Sequence, residues 1–138
     1  MDLTKASESP APFHFWTGVA TIAGALRRHV WIDQRYFQWT PNFYIILVGP
    51  AGIANKSTAM RAGIKLLEKL KVPFGPQSMT WQYLTKSLQD SISTVKYYDL
   101  DGVESKLVMS AITVPIGELG TFLKPEDGSL MDVLVSLW

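Results

Sequence analysis

Phe43-Tyr44-Ile45-Ile46-Leu47-Val48, followed by Gly49-Pro50-Ala51-Gly52-Ile53-Ala54-Asn55-Lys56-Ser57-Thr58, is the stretch on which the reading of this chain turns. The first six residues form an apolar, β-branched run with the length and composition of a buried parallel strand. From about Ser57 to Lys71, Met60, Ile64 and Leu67 recur on one helical face and Arg61, Lys65 and Glu68 on another, which predicts an amphipathic helix. Strand, glycine-containing loop, Lys-Ser and helix, in that order, make the layout of a phosphate-binding P-loop. Small residues let backbone N–H groups turn inward around phosphate oxygens, and the helix N-terminus adds the positive end of its dipole. In this layout Gly49, Gly52, Ala54, Asn55 and Thr58 belong to the cradle. Lys56 reaches the β- and γ-phosphates, and the Ser57 hydroxyl ligates Mg²⁺.

The spacing departs from the usual G-x4-G-K-[ST]. Counted from Gly49 the loop is one residue longer, and Asn55 stands where a glycine normally precedes the lysine. Asn is among the few non-glycine residues that tolerate positive φ, so the exchange is physically admissible.

Composition narrows the function classes. The 138 residues are 47% hydrophobic and 18% charged, which describes a globular chain with material for a real core. The net charge of +1 gives no global basic field for nucleic acid, although it leaves room for a local patch. There is no cysteine, which excludes disulfides, thiolate catalysis and Cys-based zinc sites. Two histidines, His14 and His29, lie too far apart for a classical metal cluster and are read as packing or surface residues. The N-terminus lacks the charged and apolar regions of a signal peptide. No apolar run approaches the roughly 20 residues that span a bilayer. The expected compartment is the cytoplasm, with no membrane partner.

Residues 1–12 read as a flexible leader, and 13–138 as the folded domain. Phe13 to about Arg28 carries Trp16, Val19, Ala20, Ala23 and Leu26 at helical spacing, which predicts a tightly packed, mostly buried helix. Gly18 and Gly24 would allow close approach of a neighbour. His29–Asp33 and Tyr36–Thr40 read as short strands or a hairpin. Val72-Pro73-Phe74-Gly75-Pro76 ends the helix after the loop. Thr80 offers an N-cap to a short helix with Trp81, Leu84 and Leu88. Ser93 to Leu100 reads as a strand, Asp101-Gly102 as a hairpin turn, and 106–116 as the returning strand. Lys124 to Gly128 is a loop, and Ser129 starts a last amphipathic segment with Leu130, Met131, Leu134 and Leu137 that runs into Trp138. This apolar ending, without polar tail or C-cap, suggests either a domain truncated at its C-terminus or a helix that docks on a partner.

A nucleotide-hydrolysing loop needs an acidic residue at the end of a neighbouring apolar strand, to hold Mg²⁺ through water or to polarise the attacking water. Glu118, after Val114-Pro115-Ile116-Gly117, is the candidate; a plain turn residue is its alternative. Gly117 occupies the place of the more usual Asp. Asp99 and Asp101, beside Gly102, are better explained as turn formers. Arg27, Arg28 and Arg35, with Trp31, Tyr36, Phe37 and Trp39 nearby, could form a base-stacking edge. Their simpler reading is core and interface material.

With these residues in hand the chain resembles a known group. His14-Phe15-Trp16-Thr17-Gly18, Ala23-Gly24-Ala25-Leu26-Arg27-Arg28, Pro41-Asn42-Phe43-Tyr44 leading to Gly49-Pro50-Ala51-Gly52, and Lys56-Ser57-Thr58 look like the P-loop ATPase module of phage and prophage primase–helicase-like proteins. The likeness continues through Met79-Thr80-Trp81-Gln82 and Gly117-Glu118-Leu119-Gly120. It implies a RecA-like or AAA-like ATPase core that couples ATP hydrolysis to movement on DNA during replication, with ATP and Mg²⁺ as cofactors. By that likeness Lys56, Ser57 and Thr58 carry over as phosphate and Mg²⁺ contacts and Glu118 as the catalytic acid. The later strands, sensor residues and arginine finger of such an ATPase have no counterpart.

The expected fold is therefore α/β, an incomplete P-loop core on a parallel sheet that includes 43–48 and roughly 107–116, with an N-terminal helix alongside and short β-hairpins. The expected function is the ATP-binding core of a phage-type helicase or primase–helicase, as a homo-oligomer. The rival is a non-catalytic, mobile-element protein that acts on a related full-length ATPase by mixed assembly.

Overall fold

The computed structural model describes residues 8–75, 80–98, 101–124 and 128–137. Among these, five helices and two small antiparallel sheets make a mixed α/β fold. The chain divides into two compact units, Met1–Leu26 with Pro41–Val72, and Arg27–Thr40 with Pro73–Trp138.

The first unit is a helix pair and a loop. Helix α1 spans Ala11–Leu26 and helix α2 spans Lys56–Lys69. They pack through small residues. A Cβ added to Gly63 of α2 would lie 2.5 Å from Thr21 Oγ1 and 2.8 Å from Thr17 Cγ2, so the helices meet where only glycine fits. Arg61, Lys65 and Glu68 are exposed, as the periodicity predicts, but the buried stripe of α2 is Ala59, Gly63 and Leu67, with Met60 and Ile64 only half-buried beside it. Lys71 adopts φ 55° just past the helix end.

Helix α1 differs from expectation. Ala23 is its one buried residue, and Phe15, Trp16 and Ile22 are exposed. The face turned to α2 is the Thr17/Thr21 face, so the bulky residues fall beside or opposite the contact. Close approach comes from Gly63, whereas a Cβ on Gly18 would meet open space.

The run 43–48 also differs. It has no assigned strand, and Phe43, Tyr44, Ile46 and Val48 are exposed, Val48 to 81%. The expected parallel sheet of 43–48 with 107–116 is thus not formed among the described residues. A strand exists through its hydrogen-bonded neighbours, and this segment enters neither sheet.

The second unit holds both hairpins. Strand β1 (Ile32–Asp33) pairs antiparallel with β2 (Gln38–Trp39), with Ile32 opposite Trp39. The turn is closed by Gln34 N–H donating to Phe37 O at 3.0 Å and Arg35 N–H donating to Asp33 Oδ1 at 2.8 Å. Strands β3 (Ser93–Tyr98) and β4 (Glu104–Met109) form the larger hairpin, from Ser93 opposite Met109 to Tyr98 opposite Glu104. Gly102, at φ 78°, supplies the left-handed turn residue. Asp99 lies outside the described residues. The returning strand stops at Met109, earlier than predicted. Beyond it, Thr113 makes a single parallel bridge to Phe74, with Gly75 N–H donating to Thr113 O at 2.9 Å and Thr113 N–H donating to Pro73 O at 3.0 Å.

Helix α3 (Trp81–Asp90) starts at Thr80, whose hydroxyl accepts from Tyr83 N–H at 3.4 Å, the predicted N-cap. One carbonyl of its last turn, Leu88 O, accepts from two serine hydroxyls. Ser91 Oγ and Ser110 Oγ donate to Leu88 O at 2.8 and 2.6 Å. Leu84 of α3, Phe122 of the short α4 (Leu119–Phe122) and Leu130 of α5 (Gly128–Ser136) form the core of this unit, flanked by Ile112, Val114 and Ile116. Leu130 is fully buried. Among the described residues, no helix is long and apolar enough to cross a membrane.

Candidate functional site

The loop 49–58 is held by its own ends and by the chain before α1. Gly52 has φ 74° and Asn55 has φ 41°, ψ 39°, so two residues are left-handed and the backbone doubles back on itself. Asn55 is the position where sequence expects a glycine. Its amide tolerates the conformation, and its Nδ2 donates to Glu8 Oε2 at 3.0 Å. The Asn55 carbonyl accepts twice, from Thr58 N–H at 3.0 Å and from Ser9 Oγ at 2.6 Å. Ser9 is buried. Glu8 and Ser9, read from sequence as part of a leader, are therefore engaged with the loop. Residues 1–7 lie outside the described residues.

Gly49 is enclosed. A Cβ there would sit 3.0 Å from Ala54 Cβ and 3.2 Å from Phe13 Cζ, so an aromatic ring of α1 covers the start of the loop. Ala54 itself is buried.

Lys56 opens α2, and its Nζ donates to the Gly49 carbonyl at 2.6 Å. The ammonium thus joins the two ends of the loop. Ser57 and Thr58 follow in the first turn and are exposed. Asn55 provides no side-chain cap to α2, and the first turn carries no acidic residue. A helix N-terminus in this condition favours an anion, because its first N–H groups lack intrahelical acceptors and its dipole is positive there. The residue set fits a polyphosphate: a lysine, two hydroxyls and a left-handed loop around an uncapped helix start. It also fits Mg²⁺ in the manner of nucleotide sites, where one protein oxygen, here Ser57 Oγ, suffices because phosphate and water complete the octahedron. Among the described residues no group of three His, Asp or Glu could hold a metal unaided.

Glu118 belongs to the second unit. It precedes α4 with an extended backbone, its side chain caps nothing, and its carbonyl accepts from Thr121 and Phe122 N–H, both at 3.3 Å. Gly49, Gly52, Ala54, Asn55, Lys56, Ser57 and Thr58 thus come together in one unit, and Glu118 is not among the residues gathered there.

Three contributors escaped the sequence reading: Glu8, Ser9 and Phe13. A Ser-Pro step before an apolar helix carries no mark of a distant acceptor. Of the reading of the 31–39 aromatics as core and interface material, the core half does not hold for three of them. Trp31 is half-buried against Tyr97, with ring centroids 5.9 Å apart, but Tyr36, Phe37 and Trp39 are exposed. Comparison with protein-family models, with curated proteins and with solved structures yields no match to this chain.

Proposed function

We propose that residues 49–58 bind a nucleoside triphosphate, ATP with Mg²⁺, and that the chain is the ATP-binding core of a phage-type replicative helicase or primase–helicase. One observation carries the nucleotide reading: Lys56 Nζ on the Gly49 carbonyl at 2.6 Å. It sets a cation at the loop beside a helix start that has no side-chain cap. Phosphate oxygens would exchange with a single neutral carbonyl for that ammonium, a favourable trade because charge-assisted hydrogen bonds are the stronger kind. Lys56 and Ser57 act on the phosphates and Mg²⁺. Glu118, the acid implied by the resemblance, polarises the attacking water.

The test is calorimetric titration of the full chain with ATP, with and without Mg²⁺, beside Lys56→Ala. Loss of one charge-assisted contact, about 1.5–3 kcal/mol, weakens binding roughly ten- to hundredfold. Equal affinities for the two proteins overturn the assignment.

A second reading has its own observation. Phe15, Trp16 and Ile22 leave much of α1 apolar and exposed, and such surface marks interaction sites. On that reading the chain is non-catalytic and works by assembly with a related ATPase. Titration without detectable nucleotide binding, together with co-sedimentation with such an ATPase, selects it.

A further inference from the structure

We propose that the β1–β2 hairpin is a binding surface for single-stranded nucleic acid, separate from the loop 49–58. Ile32 and Trp39 are cross-strand partners and so share one face, and both are exposed. Phe37 extends that face, its ring edge-on to Trp39 with centroids 5.5 Å apart and planes at 84°. Tyr36, in the turn, is 95% exposed. Four large apolar side chains on so short a hairpin add nothing to a core, and a contiguous patch of this kind marks a contact surface. Trp31, adjacent to Ile32 and alternating to the other side, packs on Tyr97 of β3, which anchors the hairpin and leaves the Ile32/Trp39 face outward.

Charge selects the occupant. Between residues 27 and 40 stand three arginines and one aspartate. Arg28 and Arg35 are exposed. Asp33 pairs with Gln38, on the face opposite Trp39, and its Oδ1 is taken by the Arg35 N–H. Arg27 donates to Ser91 O and Ser93 Oγ, but two exposed arginines remain close in sequence to the apolar face, and the acid stands on the other face. Aromatic rings beside arginines suit bases and phosphates together. Only unpaired bases offer a free π-face, because those of a duplex are already stacked on one another. The surface reads no base edges, so it takes DNA or RNA without strong sequence preference.

The experiment is fluorescence anisotropy of labelled oligo(dT) of about 15 nucleotides, a length matched to known single-strand sites, with the full chain. Oligo(rU) and a duplex of equal length are parallel arms. The wild type binds both single strands more tightly than the duplex. Tyr36→Ser and Trp39→Ala each weaken oligo(dT) binding roughly tenfold, as loss of one stacked base requires. Arg35→Gln lowers the slope of log affinity against log salt by about 0.7, one phosphate contact. Tyr36→Ser secures the test should Trp39→Ala disturb the hairpin, since Tyr36 is almost wholly exposed. Lys56→Ala leaves oligonucleotide binding unchanged, and Trp39→Ala leaves nucleotide binding unchanged, so the two sites fail separately. The proposal is overturned by absent oligonucleotide binding, by affinities equal in wild type and both aromatic variants, or by duplex bound as tightly as single strand. It is equally overturned by a wild-type dimer that Tyr36→Ser or Trp39→Ala returns to monomer, which would give the face to a second copy.

Discussion

The Ser9 hydroxyl donates to the Asn55 carbonyl at 2.6 Å, tying the segment before α1 to the residue that precedes α2. The two are far apart in sequence, yet the bond closes the back of the loop that carries Lys56. It makes the conformation of that loop depend on chain outside the motif.

Ser9→Ala removes this bond. The Asn55 carbonyl keeps the Thr58 N–H, while the buried Ala54 carbonyl loses a longer contact to the same hydroxyl at 3.4 Å, and the expected loss of stability is about 1 kcal/mol. Urea denaturation measures it. An unchanged midpoint would show that the bond contributes nothing to folding.

At Asn55 the left-handed backbone sets the order of substitutions. Asn55→Ala places an ordinary Cβ at φ 41° and costs about 1–2 kcal/mol. Asn55→Gly is free of that penalty and forfeits an exposed hydrogen bond to Glu8, so it is the milder change. Thermal melts of the two variants, compared side by side, decide the order; a more stable alanine variant would contradict the left-handed conformation.

Gly63→Ala sets two effects against each other. Helix propensity favours alanine by about 1 kcal/mol. The added methyl would meet Thr21 Oγ1 at 2.5 Å and Thr17 Cγ2 at 2.8 Å, and Thr21 Oγ1 is itself held on Thr17 O at 2.7 Å. Overpacking costs about 1–3 kcal/mol, so the clash wins and the variant is less stable. Adding Thr21→Ala recovers part of the loss. A stabilised Gly63→Ala protein would mean that α1 and α2 do not meet here.

Leu130 tests the second unit. It is fully buried against Leu84 and Phe122, and Leu130→Ala should cost about 2–5 kcal/mol. Val135, on the same helix and exposed, is the control, with a change for Val135→Ala within about 0.5 kcal/mol. Equal effects at the two positions would remove α5 from the core.

By itself the sequence determined what is local. The α2 helix with its charged face, the Thr80 cap, the two hairpins and the α5 segment were all legible, because each rests on contacts between residues near one another in the chain. The loop was legible too: Asn55 could be assigned a positive φ from its side chain alone. Only the tertiary structure decided the rest. A run such as 43–48 has strand composition, but a strand needs a neighbour to accept its hydrogen bonds, and composition names none. Periodicity placed Trp16 on the apolar face of α1, yet the contact formed where Gly63 let Thr17 and Thr21 approach. Ser9 and Phe13 joined the loop through contacts with Asn55 and Gly49, and no local pattern encodes a partner so distant. Exposure of Tyr36, Phe37 and Trp39 was likewise invisible, because an aromatic residue carries the same signal in a core as on a face that meets a ligand.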